Sequence, residues 1–203
     1  MMSDKPDTPA SPFAPAPHLI ETPLRAQTVY QGDFLAVSRD VVRQADGREV
    51  SYEYIRHPGA VVVIPLLADG RVVVERQFRY PVGRVMTEFP AGKLNAGEDP
   101  LACGRRELLE ETGYRAAEWA RAGALHLAIG YSNEIIHIYF ARGLQAGARQ
   151  LDAGEQLDVH AVTMEALLQA SHDGGLTDAK TLSCLLWLQN VRAGLWTLDW
   201  QQA

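Results

Sequence analysis

Glu107, Glu110 and Glu111 stand at i, i+3 and i+4, so on a helix their carboxylates share one face. Arg106 precedes them, and Glu98 lies in the loop before. Carboxylates crowded onto one spot raise each other's pKa values and cost stability. The arrangement makes sense around a cation. Hard oxygen ligands select Mg²⁺, with Mn²⁺ as an alternative, and Mg²⁺ usually binds through a few carboxylates plus substrate phosphates. Arg106 can pair with one carboxylate and hold it in place. The competing reading is a solvated acidic helix face. Against it, seven residue types are fixed between Gly92 and Gly113. At residue frequencies of roughly 5–9% each, chance agreement in one window is on the order of one in 10⁸.

The elements that must position these side chains follow from local signals. Asp99-Pro100 predicts a helix start, because Asp is a favoured N-cap and Pro suits the first helical position. Leu101, Ala102, Leu108 and Leu109 supply a buried stripe. Gly113 sits where a left-handed residue would end the helix. The stretch therefore reads as a loop over 92–98 and a helix over 100–112.

Gly92, Glu98, Arg106, Glu107, Leu108, Glu110, Glu111, Gly113 and Tyr114 together resemble the Nudix box, G-x5-E-x7-R-E-U-x-E-E-x-G-U with U apolar. Tyr114 in the last apolar slot is the one soft departure. The resemblance implies an α+β fold: an α/β/α sandwich with a mixed sheet. It also implies Mg²⁺-dependent hydrolysis of a diphosphate linked to a second group. On the same basis Ala91 would offer its backbone carbonyl to a metal, alongside Glu98, Glu107, Glu110 and Glu111. Arg79-Tyr80-Pro81 and Glu88-Phe89-Pro90-Ala91-Gly92 are similar to passages of ADP-ribose and ADP-sugar pyrophosphatases. Arg is the fork-shaped donor for phosphate oxygens, which makes Arg79 the expected diphosphate contact. Glu88 would accept from a ribose hydroxyl or hold an arginine. Glu134 matches an acidic residue of those relatives, and Glu155 a loop carboxylate that would activate the water. The relatives' proline is replaced by Ile129.

The remainder of the 203 residues bounds the rest. Residues 1–20, rich in Pro, Ala and Ser, are expected to be a disordered tail. Residues 21–57 read as a small antiparallel β lobe of three strands, 25–30, 34–43 and 49–56, which is too small to bury a core alone. In the resembling enzymes such a lobe makes the dimer and stacks the base, so a homodimer is expected, with Phe34 or Tyr30 as the stacking aromatic. The catalytic domain would span 58–195, with a tail over 196–203. Further strands are expected over 60–67, 71–77, 124–129, 135–141 and 157–162, and helices over 164–170 and 178–191, capped by Thr163 and Thr177. Thr177 to Lys180 and the tryptophans Trp187, Trp196 and Trp200 read as structural.

A net charge of −6 and a pI near 5.5 argue against nucleic acid as partner. No apolar run reaches the roughly 18 residues of a membrane span. Two cysteines, Cys103 and Cys184, form no metal or disulfide pattern, and a cytoplasmic location is the default. The expected partner is a small nucleoside diphosphate sugar, ADP-ribose first. Other nucleoside diphosphate derivatives, or a regulator that binds without turnover, are the alternatives.

Overall fold

A computed structural model describes residues 11–151 and 154–203; half of the expected N-terminal tail, and Asp152-Ala153 of the loop before Glu155, lie outside them. The chain divides into two compact units, with the boundary after Ile55.

The first unit holds one antiparallel sheet, ordered β1 (Thr22–Gln31), β2 (Ala36–Arg43) and β3 (Glu49–Arg56, whose last residue falls in the second unit). Gly47 closes the β2–β3 hairpin at φ 86, while Asp46 keeps a negative φ and its carboxylate accepts from the Arg48 N–H. In this Asp-Gly turn the glycine alone supplies the left-handed residue. Among the described residues of this unit, Ser38 is the one that is fully buried. Its larger apolar side chains Tyr30, Phe34 and Tyr52 stay exposed.

The second unit is built on β4 (Ala60–Pro65), which is buried at every position. Successive side chains of a strand point to opposite faces, so such a strand needs cover on both sides. Val61 and Val63 point to one cluster with Leu108 and Cys103 of α1 (Pro100–Thr112). Val62 and Ile64 point to the other, with Leu167 of α2 (Met164–His172) and Leu185 and Leu188 of α3 (Ala179–Arg192). β4 pairs in parallel with β9 (Ile136–Ala146) and antiparallel with β7 (Ala91–Lys93). β8 (Tyr114–Leu125) and β11 (Gln201–Gln202) complete this mixed sheet in the order β11-β8-β9-β4-β7. A second, antiparallel sheet runs β10 (Leu157–Val162), β5 (Val72–Arg79), β6 (Arg84–Glu88). The result is an α/β/α sandwich around a mixed sheet.

Several expectations change. The strand expected over 124–129 begins earlier, at Tyr114, and ends at Leu125. Residues 128–132 form a turn instead, with Tyr131 and Ser132 N–H groups on the Ala128 carbonyl, and Ile129 is exposed. Asp178, not Thr177, caps α3: its carboxylate accepts from the Thr181 N–H at 3.0 Å. Leu186 turns outward because Thr181, Cys184, Leu185 and Leu188 define the buried stripe of α3. Trp187 meets Trp196 edge-on at 5.7 Å, and the Arg142 guanidinium lies 4.0 Å from the Trp200 ring centre. Among the described residues no helix is long and apolar enough to cross a membrane.

Gly113 ends α1 at φ 76, and a Cβ there would lie 2.7 Å from the Gly147 carbonyl. Gly113→Ala should therefore lower stability by about 1–3 kcal/mol, read as a lower urea midpoint at unchanged slope.

Candidate active site

The helix carrying the acidic face starts and stops as its sequence dictates. The Asp99 carboxylate accepts from the Leu101 and Ala102 N–H groups at 3.0 and 3.1 Å. Cys103 and Leu108 anchor the buried side, and the Cys103 thiol reaches the Gly92 and Lys93 carbonyls at 3.8 and 3.6 Å. Burial pushes that thiol up to about 12, so it is a packing group and not a nucleophile. The Gly92 position has a steric reason: a Cβ there would come within 1.8 Å of Glu107 Oε1. Glycine lets the helix carboxylate lie directly against the backbone of β7.

Arg106 organises three carboxylates. It donates to Glu98 through Nε (2.9 Å) and Nη2 (3.0 Å), to Glu107 through Nη1 (2.7 Å), and to Glu110 through Nη1 (3.0 Å). Nη2 also reaches the Lys93 carbonyl at 3.2 Å. These partners raise the guanidinium pKa, the Glu98 bond first, so the group is permanently charged. The Arg106 hydrogen bonds in turn lower Glu98 to about 2. Glu107 lies above the usual carboxylate range because burial outweighs its bond to Arg106.

Glu111 sits deeper and accepts from the Ala91 N–H at 3.1 Å. Burial raises it furthest, with Glu75, Glu107 and Glu155 adding their negative fields. Glu75, on β5, was not singled out in the sequence. It is fully buried, it faces Glu111, and neither of its carboxylate oxygens meets a donor. Its one signal was a charged residue inside the β-branched run Val72-Val73-Val74-Glu75. Among the described residues no three acidic, His or Cys side chains surround one point as ready-made ligands, because Arg106 draws Glu98, Glu107 and Glu110 to itself. The donor chemistry still suits a hard divalent cation: oxygen ligands only, two buried carboxylates facing each other, and a glycine floor.

The opposite wall of the same cleft is a second charge network. Arg79 grips Glu88 bidentately, Nε to Oε1 at 2.7 Å and Nη2 to Oε2 at 2.9 Å. Of the two expected roles for Glu88, the structure has it holding an arginine. Lys180 donates to the same carboxylate and, at 3.0 Å, to Asp178. Burial opposes charge on Glu88, yet Arg79 and Lys180 bring it below its ordinary value. Burial likewise opposes the Lys180 charge, and Asp178 and Glu88 more than restore it. Lys180, expected as purely structural, thus lines the cleft. Thr181 joins this network to β6, donating to Asp178 at 2.7 Å and accepting from the Phe89 N–H at 3.0 Å. The Arg79 side chain keeps 40% of its surface exposed while Glu88 keeps 4%, so the guanidinium has a face left for a ligand.

Glu134 lies at the cleft rim with His57, whose Nε2 is 3.6 Å from its carboxylate. The His57 Nδ1 accepts from the Gly59 N–H at 3.1 Å, which leaves Nε2 as the protonated nitrogen facing Glu134. Glu155 lies near Glu107 and Glu111 and accepts from Gln77 at 3.5 Å. Ala91 and Gly92 line the same cleft as Arg79 and Glu134. Of the eleven expected site residues, Arg79, Glu88, Ala91 and Glu134 line this cleft; Glu111 is joined to it through the Ala91 N–H, and Glu98, Glu107 and Glu110 through Arg106, which reaches Lys93. Phe34 belongs to the first unit, exposed between β1 and β2.

Residues 56–183 match the NUDIX domain family. An ADP-ribose pyrophosphatase of Bacillus subtilis (strain 168) is 34% identical over 173 residues, covering 84% of this chain and 94% of that relative. An ADP-ribose pyrophosphatase of Mycobacterium tuberculosis is 36% identical over 145 residues, covering 71% of this chain and 70% of that relative. A crystal structure of an ADP compounds hydrolase superposes with a TM-score of 0.77 at 22% identity, covering 86% of this chain and 95% of that one. That last likeness concerns the fold alone.

The Lys180 network makes a stability prediction. Lys180→Met leaves Glu88 and Asp178 buried with one cation fewer and should cost on the order of 3 kcal/mol in urea denaturation. Lys180→Arg should recover part of that loss.

Proposed function

The chain belongs to the NUDIX family and is an enzyme of pyrophosphatase type, and we propose that its substrate is a nucleoside diphosphate sugar, ADP-ribose first, hydrolysed to AMP and ribose 5-phosphate. The observation that carries this reading is the shared cleft. One opening is bordered by the backbone of Ala91 and Gly92 beside the box carboxylates, by the Arg79 guanidinium, and by Glu134. Hydrolysis of a diphosphate needs cations on the phosphates and a carboxylate base for the water.

Glu107 and Glu111, with the Ala91 carbonyl, would hold a divalent cation, Mg²⁺ or Mn²⁺, with Glu98 and Glu110 in support. Such an ion neutralises the diphosphate and lowers the pKa of water when bound. The chain's own groups do the rest. Arg79, aimed by Glu88, orients the phosphate oxygens. Arg106 keeps Glu98, Glu107 and Glu110 from drifting apart under mutual repulsion. Glu155 or a box glutamate accepts the proton of the attacking water. Water adds to one phosphorus, the bridging P–O bond breaks, and the departing phosphate oxygen leaves as the sugar phosphate or the nucleotide.

The first unit supports a homodimer. A three-stranded sheet with Ser38 as its one fully buried described residue, and with Tyr30, Phe34 and Tyr52 exposed, requires further cover. A second copy would supply it, with Phe34 or Tyr30 stacking on the base. Light scattering of the purified chain at twice the monomer mass is the expected result.

The substrate is tested by a hydrolysis panel with Mg²⁺, containing ADP-ribose, ADP-glucose, GDP-mannose, diadenosine polyphosphates and 8-oxo-dGTP. ADP-ribose should turn over fastest; inert ADP-ribose beside an active alternative refutes the substrate assignment and points to the turn at Ile129. Glu111→Gln should lose orders of magnitude in kcat with little change in fold, and EDTA should abolish turnover. Gly92→Ala displaces Glu107 and should cost about 100-fold in kcat.

A further inference from the structure

Glu75 has no place in the chemistry so far, and its surroundings do not account for it. The side chain is fully buried on β5, opposite Glu88 in the β5–β6 register. Both carboxylate oxygens lack a hydrogen-bond donor. The cations nearest to it are committed elsewhere, Arg79 to Glu88 and Lys180 to Glu88 and Asp178. What it faces is another carboxylate, Glu111 of α1, itself 3% exposed. An unpaired buried carboxylate is among the costliest groups a protein interior can hold. The neighbouring positions Val73 and Val74 show that a β-branched apolar residue fits this strand.

On the family reading above, we propose that Glu75 is a carboxylate of the divalent-cation site, sharing the ion with Glu111. The cost of burying the charge is then offset when the cation enters. Glu75 extends from the β10-β5-β6 sheet and Glu111 from α1, so one ion would join that sheet to the helix. Glu88 is its cross-strand neighbour, so Glu75 also adds a negative field beside the Arg79–Glu88 pair.

The test uses Mn²⁺ alone as the probe, with the full chain. Mn²⁺ affinity is measured by electron paramagnetic resonance for the parent, Glu75→Gln and Glu75→Asp, beside metal-free melting temperatures and ADP-ribose hydrolysis. Glu75→Gln should weaken Mn²⁺ binding at least 10-fold and raise the metal-free melting temperature, because it removes a repulsive charge. Glu75→Asp, which keeps the charge on a shorter arm, should fall between. Unchanged Mn²⁺ affinity in Glu75→Gln overturns the proposal while leaving the function standing if the parent still hydrolyses ADP-ribose. A lower metal-free melting temperature in Glu75→Gln also overturns it, since Glu75 would then serve the fold. A parent that binds no Mn²⁺ and hydrolyses nothing overturns both readings together.

Discussion

Repulsion among carboxylates is the constraint that shapes this molecule. Glu98, Glu107 and Glu110 are gathered on one guanidinium, that of Arg106, while Glu75 and Glu111 face each other behind them. Like charges this close would separate if the backbone allowed it. The backbone does not allow it. Asp99 and Gly113 fix the ends of α1, the Cys103 thiol ties the helix to β7, and Gly92 removes the side chain that would keep Glu107 at a distance. The fold holds in place a charge distribution that would otherwise spread apart, which is the preorganisation that charge-stabilising catalysis needs.

The second wall shows the same economy with the signs balanced. Arg79 and Lys180 meet Glu88 and Asp178, so two cations and two anions share one corner of the cleft. Asp178 does two things at once, capping α3 and receiving Lys180. A helix of the outer layer thereby sets the aim of an arginine on a central hairpin. Breaking the cap would be felt at the Glu88 end of β6 through Thr181 and Phe89.

Much of this was legible before any coordinates. The helix over 100–112 follows from Asp99, Pro100 and Gly113, all local signals, and the box residues are recognisable because their spacing lies within one loop and one helix. Non-local features were hidden. Glu75 reads as one charge in an apolar strand, and its meaning depends on Glu111, which only the folding of α1 over β5 brings near. The first turns of β8, Tyr114-Arg115-Ala116-Ala117-Glu118, lack both alternation and β-branched residues, and the strand exists because β9 pairs with it along its length. Conversely Ala128-Ile129 looked like strand but turns, since tertiary pairing had ended at Leu125 opposite Ile136. Phe34 was proposed from resemblance alone, and the second unit's geometry has no bearing on it.

The parallel pairing of β4 with β9 sets an order of events during synthesis. Ala60 lies opposite Ile136, so the central ladder cannot close until the whole box, α1 and β8 have left the ribosome. Lys180 arrives later still, on α3. The helix can form early from its own caps, but a cleft with both walls in place exists only after the chain has passed that residue. Long-range parallel closure of this kind is slow. Until α2 and α3 have followed, the apolar ribbon Val61 to Ile64 lacks one of its two covering layers. The nascent enzyme is therefore inactive and at its most aggregation-prone over one and the same interval, and a chaperone that shields β4 would protect both the yield and the activity.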